Sequence, residues 1–167
     1  MPTPHIRNAT DADLGGITKI YNHYVTETPI TFDLQPFEVE QRREWQSQFS
    51  ETGPHRLLVA ESDQNVIGYA CSTTVRPKAA YNSSVEVTIY VDPNTKRKGT
   101  GRALYTTLFE TLAAEGLHRA YAVITLPNDP SIRIHEAFGF KHTGTLHEVG
   151  RKFDKYWDVA WYEKDLD

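Results

Sequence analysis

The sequence predicts a single α/β domain with a mixed central sheet flanked by helices, and three observations carry that reading. The first is the alternation of Val85, Val87, Ile89 and Val91 with Glu86, Thr88 and Tyr90. Period-two alternation of β-branched residues marks a half-buried strand. The second is the helix that follows from Arg102, with Leu104, Leu108 and Leu112 on one face and Gly116 just past its end. The third is a further apolar strand over residues 120–126, which a right-handed crossover makes parallel to the central one.

The remaining elements follow from local chemistry. Residues 5–9 read as a short edge-like strand, and Thr10-Asp11 offers an N-cap. Leu14, Ile17, Ile20, Tyr21 and Tyr24 then recur at helical spacing until Thr28-Pro29. Residues 30–36 form a polar-aromatic loop containing Phe32, and residues 37–49 a second amphipathic helix carrying Trp45. Residues 56–61 and 66–75 are two strands joined by a turn at Asp63-Gln64-Asn65, a hairpin. Residues 76–84 lead as a loop into the central strand. After residue 126, Pro127-Asn128-Asp129-Pro130-Ser131 breaks the chain, and residues 132–138 form a short helix ended by Gly139. Residues 140–149 and 156–164 are closing strands around a charged turn. The order is β-α-α-β-β-β-α-β-α-β-β.

A chain of 167 residues is long enough for one domain with a real core and too short for two ordinary ones, so residues 1–167 are read as one unit. A net charge of −4 argues against general nucleic-acid binding. No apolar run approaches the ~20 residues that span a bilayer, and the N-terminus lacks the apolar core of a signal peptide. Cys71 is the only cysteine and is read as an inert buried thiol. The histidines show no HxxxH or HExxH spacing, so no metal site is expected. A cytoplasmic protein without membrane or nucleic-acid partners is the expectation.

Between the central strand and its helix lies Lys96-Arg97-Lys98-Gly99-Thr100-Gly101-Arg102, a glycine loop with four cations. Glycines let the backbone come close, successive N–H groups converge on an anion, and the helix adds its positive end. The P-loop pattern GxxxxGK[ST] is absent. The dinucleotide fingerprint is absent too, because Leu104 stands where its third small residue belongs and no acidic residue follows about 20 positions on. Two readings remain: a basic helix N-terminus with a tight turn, or a cradle for the pyrophosphate of coenzyme A. The lone carboxylate of Glu86 on the preceding strand favours the second.

The element order, the glycine loop and Asn128 followed by a helix ending in Phe138-Gly139-Phe140 together resemble the GNAT superfamily of acetyl-coenzyme A-dependent N-acetyltransferases. Asn22-His23-Tyr24, Ala80-Tyr81, the strand from Val85 to Val91, and Leu126-Pro127-Asn128-Asp129-Pro130-Ser131 with His135-Glu136-Ala137 are similar to its phosphinothricin and methionine sulfoximine acetyltransferases. The similarity runs from Ile6 to about Leu166. Lys96 stands where the family loop opens with Gln or Arg, which keeps a point charge but loses the planar fork.

The resemblance implies acetyl-coenzyme A as cosubstrate, a small amino-acid-like amine as acceptor, and a homodimer. It makes Glu86 the general base and His135 the candidate acid for the leaving thiolate. Cofactor contacts are expected from the backbone of Ile89, Tyr90 and Val91, from the loop Arg97, Lys98, Gly99, Thr100, Gly101 and Arg102, and from Asn128 and Ser131. Arg76, Lys78 and Tyr81 form a wall of the substrate site, with Phe32 closing over it, while Tyr105 is read as packing. Tyr156-Trp157 and Trp161-Tyr162 are aromatic clusters for an interface or for the core. The alternatives are an acetyltransferase for another small amine and a non-catalytic coenzyme A-binding regulatory module.

Overall fold

The alternating residues of the central strand face opposite ways, and each face buries a different layer. In the computed structural model, which describes residues 4–167, the elements are β1 (His5–Asn8), α1 (Leu14–Glu27), α2 (Arg43–Ser47), β2 (Leu57–Ser62), β3 (Asn65–Thr74), β4 (Ser84–Val91), α3 (Thr100–Leu112), β5 (Arg119–Thr125), α4 (Asp129–Ala137), β6 (Lys141–Lys152) and β7 (Lys155–Asp165). This is the order expected from the sequence; the part of the N-terminal reading that rests on residues 1–3 lies outside the described range. All seven strands join one sheet in the order β1-β2-β3-β4-β5-β7-β6, and β4–β5 is its one parallel pair.

Val85 and Val87 point into the larger core with Leu104, Tyr105, Leu108 and Leu112 of α3. Helix α4 lies on the same side, where Phe138 packs against Tyr105 and Phe109. The opposite face is covered as well, which the expectation of a half-buried strand did not include. There Tyr90 meets Tyr21 and Tyr24 of α1, with Tyr69 and Cys71 of β3 beside them. Covering both faces is what a parallel seam within a sheet requires.

The second helix is shorter than expected. A 3₁₀ turn (Glu40–Arg42) and α2 replace the helix read over residues 37–49. The reason is a side chain that competes for the backbone: Asn22 of α1 accepts from the Phe37 N–H at 2.9 Å and donates to the Phe37 carbonyl at 2.8 Å. Phe37 is thereby pinned to α1 and cannot open a helix.

Leu108 is fully buried between α3 and the sheet. Leu108→Ala is expected to lower unfolding free energy by about 2–5 kcal/mol, the usual cost of a large-to-small change at a packed core site. Urea unfolding followed by circular dichroism reads this directly, as a lower midpoint at unchanged slope.

Candidate active site

Strands β4 and β5 pair over only three positions, Ser84–Arg119, Val85–Ala120 and Glu86–Tyr121, and then part. Each remains paired on its outer side, β4 to β3 as far as Val91 and β5 to β7 as far as Thr125. The sheet is therefore two half-sheets joined by a short seam, and the space beyond the seam is a cleft of about 290 Å³. Val87 to Val91 line one wall, Ala122 to Thr125 the other, with Gly101, Asn128, Ser131, Ile134 and His135 on the α3–α4 side and Tyr24 and Ile30 on the α1 side.

The pleat decides which peptide groups the cleft receives. The Asp92 N–H donates to the Ile67 carbonyl at 2.9 Å, which sets the phase of the antiparallel β3–β4 ladder. Tyr90 turns its peptide groups toward β3, while those of Ile89 and Val91 face the cleft. Of the three residues expected to offer backbone groups, Tyr90 gives its own to β3, and its ring packs against Tyr21, Tyr24 and Tyr69. One cleft-facing acceptor is engaged: the Tyr24 hydroxyl donates to the Val91 carbonyl at 2.6 Å, a contact not foreseen from the sequence.

At one end of the cleft the glycine loop turns into α3. Gly99 adopts φ +82°, a left-handed conformation that glycine tolerates best. The first intrahelical bond runs from the Ala103 N–H to the Gly99 carbonyl, so the amides of Thr100, Gly101 and Arg102 project from the helix end. Gly101 is needed for space: a Cβ there would lie 3.0 Å from Ile134 and 3.4 Å from Ile89. Lys98 and Arg102 are exposed beside these amides. This combination of projecting amides, cations and close backbone approach fits a pyrophosphate. Asn128 caps α4, its Oδ1 accepting from the Ser131 N–H at 3.3 Å, and both residues face the cleft.

Glu86 occupies the last paired position of the seam, half-buried on the α1 side. Burial raises its carboxyl above the ordinary carboxylate value, and the Arg76 guanidinium partly opposes this. Arg76 is exposed, donates to the Val75 carbonyl and lies 5.5 Å from the Trp161 ring. Lys78 and Tyr81 are exposed in the same loop, and among the described residues neither is hydrogen-bonded to Glu86. Phe32 sits in the loop after α1, against β6 at Gly150.

His135 is 3 % exposed, and both its ring nitrogens are engaged. Nδ1 lies 2.7 Å from the Ser131 carbonyl, which can only accept, so Nδ1 carries the proton. Nε2 then accepts from the Tyr105 hydroxyl at 2.8 Å. Burial lowers the imidazole pKa, so the ring is held neutral. Tyr105 therefore does more than pack. The arrangement ties α4 to α3 and leaves His135 no free proton to deliver. The Cys71 thiol is buried as its apolar strand context suggested, and burial pushes its pKa up to about 12.

Residues 6–161 match the family described as the acetyltransferase (GNAT) domain. The chain belongs to the GNAT acetyltransferase family and is an N-acetyltransferase. More narrowly, it is 54 % identical to a phosphinothricin N-acetyltransferase of Streptomyces coelicolor, over 96 % of this chain and 95 % of that protein. It is 33 % identical to an L-methionine sulfoximine/L-methionine sulfone acetyltransferase of Pseudomonas aeruginosa, over 97 % of this chain and 94 % of that one. Among solved structures, a phosphinothricin acetyltransferase from Sinorhizobium meliloti in complex with AcCoA superposes with a TM-score of 0.92 at 31 % identity, covering 99 % of this chain and 89 % of that chain.

Three outcomes are expected from this geometry. Gly101→Val forces Ile134 and Ile89 apart and should weaken acetyl-coenzyme A binding in a folded protein, as calorimetry on the purified variant would read. Tyr105→Phe leaves the buried His135 Nε2 without a donor and should cost about 1–3 kcal/mol of stability. Neutral burial of His135 also gives a sign to the pH dependence. Its contribution is complete above the ordinary value of 6.5 and is lost as pH falls below it, because only the unfolded chain takes up the proton there. Denaturation midpoints across that range are the measurement.

Proposed function

We propose that this protein transfers acetyl from acetyl-coenzyme A to the α-amine of a small amino-acid-like substrate of the phosphinothricin or methionine sulfoximine and sulfone type. The observation that carries this reading is the cleft at the β4–β5 seam, with a phosphate-binding helix end on one side of the sheet and a desolvated carboxylate on the other. The named relatives support the substrate class.

The projecting amides of Thr100, Gly101 and Arg102, with the Arg97, Lys98 and Gly99 turn, would hold the pyrophosphate. Ile89 and Val91 would pair with the pantetheine amides as an added strand, Tyr90 would wall the arm, and Asn128 and Ser131 would flank it. The thioester carbonyl then lies against strand amides that polarise it. Glu86 accepts the proton from the ammonium, directly or through water. The neutral amine attacks the carbonyl carbon and the C–S bond breaks. The thiolate takes up the proton that the attacking nitrogen sheds as the amide forms, and Glu86 returns its proton to solvent. No acyl-enzyme is required. His135 would serve this step by fixing α4 and its Asn128–Ser131 end rather than by giving up its own proton. Arg76, Lys78 and Tyr81 would hold the substrate's oxygens from the loop before β4, and Phe32 would close the opposite side.

A homodimer fits the surface. Strand β6 is a sheet edge, and the β6–β7 hairpin exposes Leu146, Val149, Phe153 and Tyr156. Of the aromatic pairs noted in the sequence, Tyr156 is 62 % exposed and suits an interface, whereas Tyr162 is buried. A lone buried thiol is consistent with a reducing, cytoplasmic setting.

Glu86→Gln should preserve acetyl-coenzyme A binding while turnover falls by roughly 10²–10⁴-fold, with a smaller loss at high pH where free amine is abundant. A variant that keeps the full rate at neutral pH would remove Glu86 from the chemistry. Arg76→Ala should raise the KM for phosphinothricin or methionine sulfone and leave that for acetyl-coenzyme A unchanged. The Arg76 charge now holds the Glu86 pKa down, so the acid limb of the rate profile should also move to higher pH. Equal losses for simple alkylamines would defeat the substrate reading and leave only the acetyltransferase.

A further inference from the structure

The loop after α1 is held residue by residue. Ile30 lines the cleft, and its carbonyl accepts from the Thr125 hydroxyl of β5 at 3.3 Å. The Thr31 hydroxyl lies 2.7 Å from the Tyr21 hydroxyl, which also donates to the Asp33 carboxylate. The other two holds come from β6. The Lys152 ammonium donates to the Thr31 carbonyl at 2.7 Å, and the Phe32 ring fills the space where a Cβ of residue 150 would stand.

Lys152 is an unusual residue to find there. It is 4 % exposed, although lysine is strongly hydrated and rarely buried without a partner. Among the described residues it makes no ion pair within 4.0 Å, and Asp33 supports its charge only from a distance. Burial accordingly lowers its pKa. The ammonium has the Phe153 ring beside it, 5.2 Å to the centroid, and its hydrogen bond goes to the Thr31 carbonyl of the loop.

The hairpin is built to deliver this contact. Residues 150 and 152 are two apart on a strand, so both face the loop. Phe153 and Asp154 at φ +52° and +57° make the two-residue primed turn, and Lys152 pairs with Lys155 across it. The Trp157 indole donates to the Lys152 carbonyl at 2.8 Å, which fixes the lysine's own backbone.

We infer that Gly150 and Lys152 are positioning residues for amine selection. As a Gly-x-Lys pair on one face of β6, they clamp the Ile30–Asp33 loop and so set the width of the cleft on the side where Glu86 stands. The clamp keeps that mouth narrow enough to select small α-amino acids over bulkier amines. This rests on the proposal above that Glu86, on the α1 side, takes the proton of an amino-acid-like amine.

The test uses the full chain with methionine sulfone and acetyl-coenzyme A. Lys152→Met should raise the amine KM roughly tenfold or more, the scale of one lost charge-assisted hydrogen bond, and move the acetyl-coenzyme A KM by less than about twofold. Lys152→Arg, which keeps a charged donor, should recover part of the loss. Gly150→Ala should expel Phe32 and raise the amine KM in the same way. Placed in a Phe32→Ala background, the same change should add nothing, because the two residues act through one contact. That cycle remains readable if Lys152→Met fails to fold. Amide hydrogen exchange at Thr31 to Asp33 should quicken in Lys152→Met and Gly150→Ala whether or not the protein turns over. An active enzyme whose amine KM is unchanged in both variants overturns the inference, as does a Gly150→Ala effect that persists fully without Phe32. A wild-type protein that acetylates no amino-acid substrate defeats the substrate reading instead. The clamp then stands or falls on the exchange rates alone.

Discussion

The molecule depends on how little of β4 is paired to β5. Three positions of parallel ladder hold the half-sheets together, and beyond Glu86 and Tyr121 the peptide groups of Ile89 and Val91 face a cleft rather than a neighbouring strand. Backbone donors and acceptors are costly to leave unmet away from water. Such a gap within a sheet fits an extended, amide-bearing ligand that can pair with those groups. The surrounding contacts keep the gap from closing: Tyr24 props the Val91 carbonyl, Thr125 holds Ile30, and Gly101 lets α3 approach Ile134 of α4.

The same gap divides the chemistry between the two faces of the sheet. On the α3–α4 side, burial keeps His135 neutral and spends both its nitrogens on Tyr105 and Ser131, which stiffens the wall that carries the helix ends. On the α1 side, burial likewise disfavours the charged form of Glu86, which here raises the pKa and makes the carboxylate more basic than a solvated one, while Arg76 limits the shift. Desolvation thus lowers the pKa of the imidazole on one side of the sheet and raises that of the carboxyl on the other. Glu86 stands at the last paired position of the seam, next to Val87, where the cleft begins.

Much of the fold was legible because local patterns carried it. The alternation through Val85 to Val91, the leucines of α3 and the turn chemistry around Asn128 each place an element without reference to the rest of the chain. The one clear misreading came from a non-local bond, since Asn22 takes the backbone of Phe37 out of a segment whose own pattern is helical. The site was legible in part for the same reason. Gly99, Gly101 and Glu86 announce themselves by residue type and neighbourhood. Tyr24, Tyr105, Gly150 and Lys152 do not, because each acts on a partner distant in sequence.

By itself the sequence determined the order of strands and helices, where the glycine turn lies, and that a lone carboxylate precedes it on the central strand. These follow from period, propensity and backbone freedom, all properties of short stretches of chain. Only the tertiary structure decided that β4 and β5 part after three pairs, that Ile89 and Val91 rather than Tyr90 turn their peptides to the cleft, that His135 is locked as a neutral acceptor, and that β6 holds the loop after α1. Each of these is a matter of register or of one distant contact. A shift of one residue along a strand reverses the direction of every peptide group and side chain, and no local pattern records the outcome.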